Sequence, residues 1–169
     1  HSTFANFQDR LKDEDVIKLA QSVGAKGFKL VGCTCVGQDL QLRGEHYQEV
    51  FAGHAGNNFT SEAVLSTGAI DIVLSEFNCT IPGLEPIADK YKVKMVCLDD
   101  VAKKANAEYI GLDRSKLDEL SNTLIEKALE SYKERRGSIE IDIPKDHGFE
   151  QSLTGVSEKN LKAFLGDSW

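Results

Sequence analysis

Apolar positions along the chain switch repeatedly between a spacing of three to four residues and short alternating or continuous runs, the pattern of helices interleaved with strands. Val16, Ile17, Ala20 and Val23 recur at helical spacing behind Asp13-Glu14-Asp15, whose charges suit a helix amino end, and Gly24 offers a stop. Phe28-Lys29-Leu30-Val31-Gly32 then reads as a strand. After a long loop, Thr60 or Ser61 can cap a helix reaching Gly68, followed by a strand over Ile70-Asp71-Ile72-Val73-Leu74. Pro82 can open a further helix, which leads to a third strand, Val93-Lys94-Met95-Val96-Cys97-Leu98. The longest helix spans 115–136: Ser115 and Asp118 are placed as a capping box, and Leu117, Leu120, Leu124, Ala128, Leu129 and Tyr132 form one stripe. Lys133-Glu134-Arg135-Arg136-Gly137 closes it, with cations at the negative helix end and a glycine for the left-handed stop. Ile139-Glu140-Ile141-Asp142-Ile143 alternates like an edge strand ended by Pro144, and a last strand near 149–153 and a helix from Ser157 complete the pattern.

Repeated strand–helix units of this kind build a parallel sheet with helices on both faces. The fold class expected is α/β: a Rossmann-like, doubly wound, three-layer domain occupying 1–169. Ligands of such sheets gather beyond the carboxyl ends of the strands. That rule sorts the four cysteines. Cys33 and Cys35 follow the first strand and Cys79 follows the second, whereas Cys97 sits between Val96 and Leu98 as a packed core residue.

Composition narrows the function classes. The 169 residues are 41% hydrophobic, enough for one domain with a core, and a net charge of −7 from 27 acidic and 20 basic side chains argues against a nucleic-acid or anionic-membrane surface. No apolar run approaches the roughly 20 residues of a membrane helix, and no signal-peptide pattern opens the chain, so a cytoplasmic protein with reduced thiols is expected. The triplets Asn58-Phe59-Thr60 and Asn78-Cys79-Thr80 are then chance matches to a glycosylation site. His1 in place of methionine, and Trp169 close behind the amphipathic Leu161, Phe164 and Leu165, imply a segment of a longer chain.

Several chemistries remain open on the residues alone. Soft thiols suit iron-sulfur clusters, zinc or copper, but Cys33-Thr34-Cys35 lacks the spacing of a zinc knuckle. On an extended segment the two thiols would share a side, which allows a thiol redox protein using Cys33 and Cys35, although the disulfide geometry is poor. Gly32-Cys33-Thr34-Cys35-Val36-Gly37 follows a strand, yet lacks both the dinucleotide fingerprint and a P-loop lysine, leaving a non-catalytic Rossmann-like binding module as the other alternative. His46 and His54 could be ligands or proton carriers, but loop histidines are more commonly hydrogen-bonded or solvated; His147 has no assigned role. Asp99-Asp100 is read as a helix cap rather than a cation site.

The stretch from Gly24 to Gln38, with its glycine-framed cysteine after a strand, resembles the central segment of nickel-iron-sulfur carbon monoxide dehydrogenases of the anaerobic type. Thr67 to Leu74, followed by Phe77-Asn78-Cys79-Thr80-Ile81-Pro82, resembles that family's next strand and its cysteine-to-proline exit, and the likeness continues through Arg135-Arg136-Gly137 and Ile143-Pro144. The length of the loop between Cys35 and Cys79, with Gln38-Asp39-Leu40-Gln41-Leu42-Arg43, is more like the α subunit of the archaeal acetyl-CoA decarbonylase/synthase complex of methanogenesis. The resemblance implies a cluster of nickel, four irons and sulfides, with His1 and Cys35 on the iron that stands apart and Cys79 on a cuboidal iron. The family pattern usually reads cysteine-cysteine where this chain has Thr34-Cys35, which leaves Cys33 without an implied role. The implied reaction takes CO and water to CO2, two protons and two electrons. Further 4Fe-4S clusters, the remaining ligands and the acid/base residues are expected elsewhere in a parent chain. Its implied partners are a second copy, other subunits of the complex and a ferredoxin-like electron acceptor, and the segment alone is expected to be inactive.

Overall fold

A computed structural model describes residues 2–42, 49–76, 83–144, 162, 165 and 166. In chain order it contains α1 (Ser2–Arg10), α2 (Glu14–Ser22), β1 (Leu30–Gly32), α3 (Thr34–Leu42), β2 (Phe51–His54), α4 (Asn58–Ser66), β3 (Ile72–Ser75), α5 (Leu84–Lys90), β4 (Lys94–Cys97), β5 (Glu108–Tyr109) and α6 (Leu117–Arg135). All strand pairs are parallel, as an α/β fold requires, and the helices α3 and α5 make the crossovers within pairs β1–β2 and β3–β4. The strands hydrogen-bond as two sheets, β1-β2 and β3-β4-β5, rather than as one continuous sheet.

The end of α6 ties the two sheets together at their amino edges. Arg135 is buried, pairs with Asp71 just before β3, and donates to Gly68 O at 2.6 Å and to Tyr91 O at 2.9 Å. Burial pushes the Asp71 carboxyl up, against the pull of the guanidinium. Ser131 Oγ donates to Asp71 O at 2.6 Å, while Tyr132 Oη and Arg136 reach Gly24 O and Val23 O before β1. Gly68 turns with φ +73°, and a side chain there would collide with the Glu140 carbonyl. With both amino edges fixed on one helix end, the carboxyl ends of β1 and β3 open on the opposite side.

At that side α1 packs along the first turns of α6. Asn6 Nδ2 donates to Asp118 Oδ1 at 3.0 Å, Ser121 Oγ donates to Asn6 Oδ1 at 2.8 Å, and Arg10 Nε donates to Asn122 Oδ1 at 3.0 Å. Arg10 also grips Asp15 through two bonds of 2.7 and 2.8 Å and Asp13 at 2.6 Å, bracing α2 against α1. The core beneath joins Phe4, Phe7 and Leu11 of the α1 segment to Leu120, Leu124 and Leu129 of α6 and to Val96 and Leu98 at β4. A second cluster, Leu65, Leu84, Ala88, Val93 and Met95, seats α4 and α5 beside β4. No described helix is long and apolar enough to cross a membrane.

Several expectations shift. The long helix begins at Leu117, not 115, because Asp113 caps a preceding 3-10 turn at Arg114–Lys116 and its Oδ1 accepts from Ser115 N; the capping box is not used. α4 starts at Asn58 under Asn57, whose side chain accepts from Phe59 N and Thr60 N, rather than under Thr60 or Ser61. Ile139–Ile143 is not a strand: Asp142 N meets Thr67 O, but Ile141 and Ile143 stay exposed without a ladder partner. Three elements went unanticipated, namely α1, α3 and β2, as did the two-residue β5. The helix expected after Pro82 is α5, which begins at Leu84 behind Gly83; Pro82 itself, the strand near 149–153 and the start at Ser157 lie outside the described residues.

Candidate functional site

The turn that leaves β1 is built from close backbone contact. Gly32 ends the strand, and α3 folds back so tightly that a Cβ on Gly37 would lie 2.7 Å from Gly32 Cα and 3.0 Å from His54 Cδ2. Only glycine fits at either position, which gives the glycine frame around the cysteines a physical reason. Between them Thr34 takes φ +55°, a conformation that a β-branched residue adopts only when its surroundings impose it. Those surroundings are explicit: Thr34 N donates to Gly56 O at 2.9 Å, and Thr34 O accepts from His54 Nε2 at 3.0 Å. His54 Nδ1 accepts from Gly56 N at 2.9 Å, which leaves Nε2 as the donor. His54 is thus a hydrogen-bonded clamp on the cysteine turn and is taken up by that role.

The two cysteines diverge. Cys33 is half-buried and bonded to Ser61 Oγ. The Ser61 hydroxyl donates to Asn57 O at 2.7 Å, so the Cys33 thiol supplies the proton of their shared bond. Cys35 lies in the first turn of α3 with its side chain exposed at the carboxyl edge of β1. A helical turn and a left-handed Thr34 replace the extended segment on which both thiols would have shared a side, and this removes the geometric premise of a Cys33–Cys35 redox pair. Cys97 is fully buried in β4, with Sγ donating to Ala102 O at 2.9 Å, in keeping with a core residue. Asp99 caps the 3-10 turn at Asp100–Ala102 by accepting from Val101 N, as anticipated for a cap.

Of the proposed ligands His1, Cys35 and Cys79, only Cys35 falls among the described residues; His46 and His147 also lie outside them. β3 ends at Ser75, so Cys79 follows the carboxyl end of that strand in sequence. Among the described residues no three histidine, cysteine or acidic side chains converge on a common point. One exposed soft donor suits a partial share in a thiolate-bound cluster, whose other ligands would have to come from undescribed or additional residues.

Between β1 and β3 lies a cavity of about 620 Å³, walled by Leu30, Ile72, Leu74 and Leu129 among others, with Cys33, Asn58, Ser61 and Glu76 at its polar end. Asn58 Oδ1 is buried there with no hydrogen-bond partner. The cavity occupies the gap between the two sheets, β1-β2 and β3-β4-β5. The residues that shape this neighbourhood, His54, Asn57 and Ser61, were not read as a unit in sequence. Their link to Cys33 and Thr34 spans 20 to 28 residues and depends on strand register.

The profile of the Prismane/CO dehydrogenase family matches residues 1–166. The chain is 42% identical over 99% of its length to a carbon monoxide dehydrogenase of Methanocaldococcus jannaschii, covering 26% of that protein. It is 40% identical over 87% of its length to one of Methanopyrus kandleri, covering 23% of it. It therefore spans about a quarter of the length of these curated relatives. Among solved structures, 85% of the chain superposes with a TM-score of 0.71 and 26% identity on 20% of a chain described with NiZn[Fe4S4] and NiNi[Fe4S4] clusters in closed and open alpha subunits of acetyl-CoA synthase/carbon monoxide dehydrogenase. Carbon monoxide dehydrogenase IV of Carboxydothermus hydrogenoformans gives 0.68 at 26% identity, over 83% of this chain and 21% of that one.

Proposed function

The chain belongs to the Prismane/CO dehydrogenase family, and from that premise we propose that it is the central Rossmann-like α/β domain of an anaerobic nickel carbon monoxide dehydrogenase of the archaeal acetyl-CoA decarbonylase/synthase type. In this reading it is a single domain within a larger chain, and it holds part of the active-site cluster through His1, Cys35 and Cys79. The observation that carries the proposal is the exposed Cys35 thiol, presented at the carboxyl edge of β1 by a turn with no slack in it. A nickel-iron-sulfur cluster bound there would supply the Lewis-acid and redox chemistry that takes CO and water to CO2, two protons and two electrons.

The chain's own contribution is positioning. Gly32 and Gly37 bring the first turn of α3 against β1, and His54 and Gly56 hold both polar groups of the Thr34 backbone, so Cys35 has few alternative directions. Cys33, engaged with Ser61, faces the cavity and stays out of the ligand set. Sites held this way lose little conformational freedom on binding metal. Electrons would leave through further 4Fe-4S clusters of the parent toward a ferredoxin-like acceptor, in a homodimer or larger complex.

The test uses the full-length parent, purified without oxygen. CO-dependent reduction of an artificial one-electron acceptor is expected, together with nickel and iron in the protein. A parent that contains neither metal and leaves the acceptor oxidised would overturn the proposal.

A further inference from the structure

Lysines drawn partly out of water are stabilised by a carboxylate partner. Among the described residues, Lys12, Lys94, Lys104 and Lys127 are half-buried. Lys12 pairs with Asp9 at 3.1 Å, Lys94 with Glu130 at 3.2 Å and Lys127 with Glu108 at 2.7 Å. Lys104 pairs with no described carboxylate. Its ammonium donates to Ala102 O at 2.9 Å and lies 3.4 Å from Ser75 Oγ, both neutral acceptors. A lysine on the last carbonyl of a 3-10 turn is ordinary, but that turn does not account for the reach to Ser75, a fully buried residue at the carboxyl end of β3. The acids just before it in sequence are engaged elsewhere: Lys103 holds Asp100 at 2.6 Å, and Asp99 accepts from Val101 N.

The position of this cation indicates the anion it can serve. Cys79 follows Ser75 by four residues, so even a fully extended chain leaves its Cα within about 14 Å of Ser75 Cα. Cys35 stands on the same carboxyl side, just past β1. An iron-sulfur cluster carries thiolates and sulfides, and its reduced form holds one more negative charge than its oxidised form, so local charge sets its reduction potential. A fixed cation nearby favours the reduced form.

We propose that Lys104 is a counter-charge to the cluster held by Cys35 and Cys79, and that it raises the reduction potential of that cluster. This rests on the proposed function, because it takes those two cysteines as ligands. Lys104 touches no reacting atom; it acts through its charge, held in place by Ala102 O and Ser75 Oγ. A unit charge about 12 Å away, at an effective dielectric constant of about 20, changes the ratio of reduced to oxidised cluster about tenfold. For one electron, tenfold corresponds to about 59 mV.

Redox titration of the full-length parent, followed by electron paramagnetic resonance, tests it. The signal to follow is the one that disappears in Cys35→Ser. Lys104→Met should lower its midpoint by about 59 mV, with nickel and iron content unchanged. Lys104→Arg should restore the midpoint, and Lys26→Met, the same loss of charge at the exposed amino edge before β1, should leave it unmoved. A metal-loaded Lys104→Met protein with the parent's midpoint, or an equal shift in Lys104→Arg, overturns the inference. Loss of metal from Lys104→Met but not from Lys104→Arg supports it, since only the charge differs in kind; loss from both makes Lys104 a packing residue and overturns it. An unaltered parent without nickel and iron refutes the cluster reading and this inference with it, whereas an unmoved midpoint in metal-loaded protein refutes the role of Lys104 alone.

Discussion

Replacing Gly37 by alanine sets two known effects against each other. Gly37 lies inside α3, where an exposed glycine exchanged for alanine normally gains about 1 kcal/mol of helix stability. Here the new methyl would stand 2.7 Å from Gly32 Cα and 3.0 Å from His54 Cδ2, against a backbone and a ring that are both held in place. Ordinary carbon contacts need about 3.5 to 4.0 Å, so α3 would have to withdraw from β1 by about an ångström. That movement stretches the 2.9 Å bond from Thr34 N to Gly56 O and the 3.0 Å bond from His54 to Thr34 O. Overpacking of this kind typically costs about 1 to 3 kcal/mol, and strain on two partly buried hydrogen bonds adds about 1 kcal/mol. After the helix gain is subtracted, Gly37→Ala should lose about 1 to 3 kcal/mol. Urea unfolding followed by circular dichroism measures this as a lower midpoint at unchanged slope. Gln38→Ala, at the exposed neighbouring position, serves as the control and should stay within about 0.5 kcal/mol of the parent sequence. A Gly37→Ala protein as stable as the original, or more so, would refute the close approach of α3 to β1.

Two further outcomes follow from the charged contacts. Arg135→Ala strands the Asp71 carboxylate and two carbonyls at the sheets' amino edge, and should destabilise the chain by about 3 to 5 kcal/mol, read as a large drop in the urea midpoint; Arg135→Lys should restore only part, because an ammonium lacks the fork that reaches Asp71, Gly68 O and Tyr91 O together. Arg10 holds the Asp15 carboxyl down to about 2, chiefly by hydrogen bonding, against an unfolded value of about 3.9. A depressed native value means that the stabilisation is present above about pH 3.9 and is lost as pH falls through about 2. Asp15→Asn should therefore flatten stability across that acid window in thermal melts, and 0.5 M salt should shrink the difference, since Asp15 is exposed and Arg10 only half-buried; identical pH profiles for the two proteins would count against the pair.

Much of the fold was readable because it depended on local patterns. The Leu117, Leu120, Leu124, Leu129 stripe is long enough to identify α6 by its period, and Cys97 between Val96 and Leu98 was placed in the core by its strand alone. Phe4, Phe7 and Leu11 also recur at helical spacing and carry a signal for α1, though a short one without an acidic first turn. The cysteine turn was not readable. Its shape depends on a β-branched Thr34 at φ +55° and on a glycine pair brought together by the crossing of α3 and β1, and no local propensity favours the first or reveals the second. Conversely, the alternation of Ile139–Ile143 is genuine in sequence but pairs with no strand among the described residues, which leaves Ile141 and Ile143 exposed. The glycine frame and Cys35 were visible as chemistry; the His54 and Ser61 contacts that aim the turn emerge only when β2 and α4 are laid against β1.

The central claim is that this segment contributes Cys35 to a nickel-iron-sulfur cluster. Its most direct test is the nickel and iron content of the full-length parent carrying Cys35→Ser, measured by elemental analysis alongside Cys33→Ser in the same background. Cys35→Ser should lose nickel and the iron of that one cluster, with circular dichroism unchanged, while Cys33→Ser should retain both metals. Equal metal content in the Cys35→Ser protein and the unaltered parent would contradict it.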